Sequence, residues 1–201
     1  MESVIENKKI KFFTYDELLE LIENLSSQGI VTGNNQSEDY LQTTQMNLHR
    51  IKRIQKKAAL TDSLLTELKA IKRKQIWYVF VEGWCADASQ NIPYLNLMAN
   101  FSDNIELKFL LRDENEEIMN NYLTNGAMAI PKLVSFDAKT NSEIGVWGPR
   151  PAEIQNKMLK FKKDFPEVNK ATFLGELQKW YTKDKGFSIQ EEFINLFQKW
   201  K

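Results

Sequence analysis

The sequence predicts an α/β fold: four short strands interleaved with helices, with further helices added at both ends. Three observations point to it. Trp77–Val81 is an unbroken aromatic and β-branched run, the pattern of a buried strand. After Cys85 the pattern turns helical, with Ile92, Leu95 and Met98–Ala99 recurring at helical spacing over about 87–100. Strand-like segments then follow at Ile105–Leu111, 132–136 and 143–147, punctuated by the polar turns Arg112-Asp113-Glu114-Asn115 and Asp137–Asn141.

The N-terminal region reads as helical. Thr14-x-x-Glu17 has the form of a capping box, and Leu18, Leu21, Ile22 and Leu25 make an apolar stripe over residues 14–27. Gly29 and the polar run Gly33–Ser37 end that helix. A long helical region is expected from about Glu38 to Lys72, broken near Thr61-Asp62-Ser63, with a basic run from Arg50 to Lys57 on its solvated side. Strand 76–81 and helix 87–100 come next, then strand 105–111 and a helix over 116–124 closed by Asn125-Gly126. After strands 132–136 and 143–147, Gly148-Pro149-Arg150-Pro151 closes the core. Helices are expected at about 152–164, 168–183 and 188–199, the last opening on a second capping-box pattern, Ser188-x-x-Glu191. The organisation expected is a helical extension over 1–72, a core over 73–148 and a C-terminal helical extension over 149–201, with the extensions packed on the core because their apolar stripes need cover.

Composition narrows the function classes. Hydrophobic residues make up 42% of the 201-residue chain, enough for a sizeable core. Lys+Arg and Asp+Glu are both 27, and this balance argues against a dedicated nucleic-acid or anionic-membrane protein. The start, MESVIENKKIKFF, lacks the basic-then-apolar order of a secretory signal, and no apolar run approaches the roughly 18 residues of a membrane span. One Cys and one His (His49) are too few for the usual zinc sets. A cytoplasmic location is expected.

The single cysteine, Cys85, falls where Glu82-Gly83 breaks the strand run and the helix begins. The free N–H groups of a helix start favour thiolate over thiol, and the thiolate is the reactive form. That placement predicts a sulfur partly reachable by solvent at the carboxyl edge of the sheet, where open α/β sheets hold their ligands.

Here the sequence resembles the thioredoxin superfamily over roughly Ile71 to Trp147, and more closely a group of bacterial thioredoxin-like proteins with a single-cysteine GWCxDxxQ-type site. Trp84-Cys85 matches the WC that opens the thioredoxin site, Pro93 matches the proline in its first helix, and Ile130-Pro131 before Lys132–Phe136 resembles its cis-proline loop. The resemblance implies a thioredoxin-like core, a mixed four-stranded sheet with helices on both faces, with the Ile130–Pro131 bond cis and close to Cys85. Two positions depart from the family pattern. Ala88 stands where a thioredoxin has its resolving cysteine, and Val79 where it has a buried acid that assists proton transfer. A dithiol cycle needs the second thiol to release a mixed disulfide, so this chain cannot complete that step alone.

Cys85 is therefore the candidate nucleophile, with Trp84, Asp87, Ile130 and Pro131 as candidate substrate-binding residues. Asp87, in the first helical turn, suits a bond to free N–H groups, and its charge near Cys85 opposes thiolate formation. Gln90 is weighed as a neighbour of the site or a solvated residue. Lys132 is weighed as a charge near the thiol or an edge lysine facing water, and Arg150 as a carboxylate binder or a surface residue. His49 is remote from Cys85 in sequence. Two readings stay open. In the favoured one the protein is a single-cysteine thiol–disulfide oxidoreductase without a bound cofactor, served by glutathione or another external thiol and acting on a protein or small-molecule thiol or disulfide. In the other it is a redox-silent thioredoxin-fold module that binds a protein partner.

Overall fold

The computed structural model describes residues 10–200, so the leader reading of the first residues falls largely outside the described residues. Three helices come first: α1 (Tyr15–Ser27), α2 (Glu38–Gln55) and α3 (Asp62–Ala70). The core runs β1 (Gln75–Val81), α4 (Ala86–Phe101), β2 (Ile105–Leu111), α5 (Glu116–Met119) with a 3-10 turn at Asn120–Tyr122, β3 (Lys132–Asp137) and β4 (Glu143–Trp147). Three further helices follow: α6 (Ala152–Asp164), α7 (Lys170–Asp184) and α8 (Phe187–Trp200). The strands form one mixed sheet in the order β2-β1-β3-β4, with β1 parallel to β2 and antiparallel to β3, and β3 antiparallel to β4. Trp77 is paired with Leu107 on one side and Ser135 on the other.

Side-chain alternation along β1 divides the core between two faces. Trp77 lies against Phe193 and Phe197 of α8, with ring centroids 5.3 and 6.0 Å apart. On the opposite face, Tyr78 meets Phe12 and Phe136, and Phe80 meets Tyr122 of the 3-10 turn. Gly145 lets α8 approach β4 closely: a Cβ there would lie 2.4 Å from the Trp200 indole nitrogen. A second, smaller core of Ile154, Met158, Leu177 and Tyr181 sits between α6 and α7, apart from the main one. Among the described residues no helix is long and apolar enough to cross a membrane.

Local signals succeed where the cap is made locally. The Thr14–Glu17 capping box forms in both directions at the start of α1, and Thr61 caps α3. They fail where another contact or turn takes over. The long helical region breaks at Gln55, earlier than expected, because Gln190 of α8 accepts from Thr61 N and donates to Ala59 O, holding the 59–61 link outside helical geometry. The expected helix over 116–124 is cut to α5 and the 3-10 turn, since Asn125 and Gly126 take positive φ in a turn that pairs Thr124 with Ala127. Ser188 does not cap α8. It lies inside that helix, and its N–H and hydroxyl both donate to the Asp184 carboxylate.

Phe193 touches Trp77, Trp147, Phe197 and Trp200, so it ties α8 to both β1 and β4. Phe193→Ala is expected to lower the free energy of urea unfolding by about 3–5 kcal/mol. A loss under about 1 kcal/mol would mean that α8 is not part of the cooperative core.

Candidate functional site

Cys85 occupies the N-cap of α4 because Glu82-Gly83 turns the chain out of β1. Its Sγ accepts the Ala88 N–H at 3.4 Å and donates to the Ile130 carbonyl at 3.2 Å. The Ile130–Pro131 bond is cis, and both residues are buried. The expected solvent-reachable sulfur is corrected by the structure: Cys85 is only 7% exposed. Burial first, and the Asp87 charge second, push its thiol up to about 12, against the Ala88 and Asp87 N–H groups and Arg150. The helix-start field is present but loses to desolvation. On the far side of the sulfur, Leu18, Ile22, Ile51 and Ile92 help line a void of about 10 Å³, no more than one water fills.

Asp87 is buried close by. It does not solvate the helix start as expected. It is itself buried, with Oδ2 2.6 Å from Arg150 Nη2 and Oδ1 accepting the Tyr181 hydroxyl at 2.7 Å. Asn91 donates to the same hydroxyl and to the Asp87 carbonyl. Burial pushes the Asp87 carboxyl up, while the Arg150 guanidinium and the two hydrogen bonds hold it down. Gln90 donates to Gln178, and Tyr94 to the Lys185 carbonyl. The hydrogen bonds between α4 and the α7 segment thus form one polar seam beside the first turns of α4, while the sulfur itself packs in the main core with Leu18, Ile22 and Ile51. Arg150 does bind a carboxylate, but the carboxylate belongs to the protein.

Trp84 turns toward the N-terminal extension. Its indole N–H donates to Thr32 O, its ring lies 4.9 Å from that of Tyr40, and the Arg112 guanidinium stacks on it at 4.8 Å. Gly83 is held from both sides, its N–H by Thr32 Oγ1 and its carbonyl by Asn47. Lys132 neither faces water nor serves the thiol: it is 5% exposed, with its ammonium on Thr124 Oγ1 and the Gly148 carbonyl. His49 is exposed on α2. Sequence reasoning brought Cys85, Asp87, Ile130 and Pro131 to one place and missed Tyr181. It also passed over Glu82, treated only as a strand breaker.

Glu82 is 1% exposed, and its Oε1 accepts the Asp113 N–H at 2.9 Å. Asp113 in turn receives Arg112 and the Asn34 N–H, and Gly33 packs so close that a Cβ would fall 2.4 Å from Asp113 Oδ2. Val79, which stands at the position of the family's buried acid, is fully buried, so the buried carboxyl here lies three residues further on. Burial pushes the Glu82 carboxyl up to about 7, aided by Asp113 and opposed by the Asp113 N–H, Thr32 and Arg112. The only signal for it in the sequence is an acid that directly continues a buried strand run.

A carboxyl raised from its ordinary value of 4.5 to about 7 binds its proton more tightly in the folded state, so it costs stability as pH rises between those values. Glu82→Gln removes the penalty, and its stability relative to the wild type is expected to grow by about 2–3 kcal/mol between pH 5 and pH 8; a difference independent of pH would refute the buried carboxyl. Tyr181→Phe removes a bond to a charged acceptor worth about 1.5–3 kcal/mol. It is expected to speed alkylation of Cys85 by iodoacetamide tenfold or more with secondary structure unchanged by circular dichroism. An unchanged rate would show that the seam does not guard the thiol.

Comparison with known proteins places this geometry. A family model for thioredoxin matches residues 33–166. The fold is similar to the crystal structure of a protein of unknown function from Pseudomonas aeruginosa, at 18% identity and a TM-score of 0.60 over 92% of this chain and 98% of that one. It is also similar to that of an HIV epitope-scaffold, at 18% identity and a TM-score of 0.56 over the same shares. At such identity both likenesses speak for the fold alone. No curated protein matches the chain. The model match spans about two thirds of the sequence and includes the turn, the thiol and the proline loop, and the chain belongs to the thioredoxin family.

Proposed function

We propose that the protein is a thioredoxin-fold binding module that is redox-silent at rest, with Cys85 serving as a structural thiol. One observation carries the reading: the sulfur is buried and protonated, and its S–H is spent on the Ile130 carbonyl, the backbone atom an extended substrate beside the proline loop would need. A thiol pushed up to about 12 is ionised in only about one molecule in 10⁵ at pH 7. No second cysteine exists to resolve a mixed disulfide. On this reading the extensions over 1–72 and 149–201 cover the core over 73–148, and the protein binds its partner through surfaces those helices contribute. We place it in the cytoplasm, among the single-cysteine GWCxDxxQ-type relatives that Gly83–Gln90 resembles.

A specific geometry favours a second reading. Sγ already sits on the Ala88 N–H of a helix start and beside the proline loop, the placement a nucleophilic thiolate needs. If the α7 seam opened, the Cys85 thiolate would attack a disulfide, form a mixed disulfide and release one thiolate. Glutathione or another external thiol would then attack that bond and regenerate Cys85. Trp84, Asp87, Ile130 and Pro131 would flank the substrate, and no bound cofactor takes part.

Titration of Cys85 by thiolate absorbance near 240 nm separates the readings. The silent module is expected to show no transition below about pH 9.5, a full unit above free cysteine at about 8.5, and no insulin reduction with glutathione supplied. A transition near pH 7 or below, with turnover, would establish the second reading and overturn the first.

A further inference from the structure

A cavity of about 280 Å³ opens where the end of α2, one face of α4 and the end of α7 converge, on a surface that the reading of Cys85 does not use. Its construction is specific. α7 ends in two left-handed residues, Lys185 at φ 53° and Gly186 at φ 77°. That turn brings the Lys185 carbonyl to the Tyr94 hydroxyl at 2.6 Å and presses Gly186 onto the Tyr94 ring, where a Cβ would sit 2.0 Å from Cζ. Only glycine meets both demands. Tyr181, held by Asp87 and Asn91, supplies the adjoining wall, and Ile54 and Ala58 add apolar surface. The polar ends of both tyrosines are committed, Tyr94 to the Lys185 carbonyl and Tyr181 to Asp87, which leaves their rings to face the cavity.

The lining carries three cations, Arg53 and Lys57 from α2 and the residues after it, and Lys185 from α7. The one carboxylate in the lining, Asp184, has its oxygens engaged by the Ser188 N–H and hydroxyl. The carboxyl ends of α2 and α7 also lie here, each contributing roughly half a negative charge. Three positive charges against Asp184 and about one unit of helix-end charge leave the cavity positive by about one. Cations near helix ends often do no more than offset such partial charges, but here the surplus remains and surrounds a walled space. That space is too large for a bare ion and suited to a small molecule with a flat body.

We propose that this cavity binds a small organic anion, a single carboxylate or phosphate on a flat apolar body, with the head at Arg53, Lys57 and Lys185 and the body against Tyr94 and Tyr181. The site is distinct from the Cys85 surface and stands whether or not Cys85 exchanges with disulfides.

Phenyl phosphate, inorganic phosphate and benzyl alcohol, titrated into the full-length protein and followed by amide NMR shifts, test the head and the body separately. Phenyl phosphate is expected to give saturable shifts confined to residues 53–59, 90–94 and 181–186, with affinity at least tenfold above either other probe and falling as salt is added. The Arg53→Gln/Lys57→Gln double variant should weaken it tenfold or more at an unchanged unfolding midpoint. Arg53→Glu/Lys57→Glu should abolish it, and the neutral pair guards against a stability effect of acids at a helix end. Shifts scattered over the surface, equal affinity for inorganic phosphate or benzyl alcohol, or binding untouched by both double variants would each overturn the proposal. None of these outcomes depends on the Cys85 titration.

Discussion

A buried carboxylate governs this molecule. Asp87 sits in the first turn of α4 with its charge out of water, and such a charge persists only if it is paired and hydrogen-bonded. Arg150 provides the pairing and Tyr181 the hydrogen bond. To deliver them, the chain must close the core at Gly148–Pro151 and return α7 across α4. The C-terminal extension is thereby committed to lie over the strand-to-helix turn. Removing one partner of such a pair costs on the order of 3–5 kcal/mol, comparable to the loss of a core aromatic, so the arrangement is a structural constraint and not decoration. Its consequence for Cys85 is chemical: the Asp87 charge adds to the burial of the sulfur in the main core, and together they outweigh the helix-start N–H groups.

The same turn is clamped from its other side. Thr32 and Asn47 hold Gly83, Trp84 is packed by Tyr40 and Arg112, and Glu82 is buried beneath the Gly33–Asn34 turn with Asp113. The residues that form an open rim in the resembling family are here enclosed between two helical extensions. The two enclosures differ in kind. Around the N-terminal side, α1 and α2 contribute Leu18, Ile22 and Ile51 to the main core. The α6–α7 pair keeps a separate small core; α7 meets α4 through hydrogen bonds, and the ion pair to Asp87 comes from Arg150 in the loop before α6. A polar contact between two cores gives way at lower free energy than a shared apolar one.

The fold was legible wherever the cause was local. The aromatic and β-branched run of β1, the helical spacing after Cys85 and the Thr14–Glu17 box all act within a few residues, and each lies where the sequence put it. The site was legible in part. Cys85, Asp87, Ile130 and Pro131 come together as the family resemblance implied, yet the state of the thiol did not follow. Tyr181 lies 94 residues from Asp87, and no periodicity records that pairing. Lys132 misled for the same reason: an edge lysine and one folded back onto Thr124 and Gly148 read alike along the chain. Ser188 kept a capping signature that Asp184, placed by the αL turn at Lys185, had already made redundant.

Cys85 is sealed in the folded protein and becomes reachable only through a local opening around it. Pulsed alkylation of wild-type Cys85 across a urea series below the unfolding transition reads this directly. The account predicts a slow rate in water that rises with urea along a slope well below that of global unfolding, the mark of a sub-global opening. A rate close to that of a free cysteine in water and indifferent to urea would contradict it, because the sulfur would then already be exposed in the folded protein.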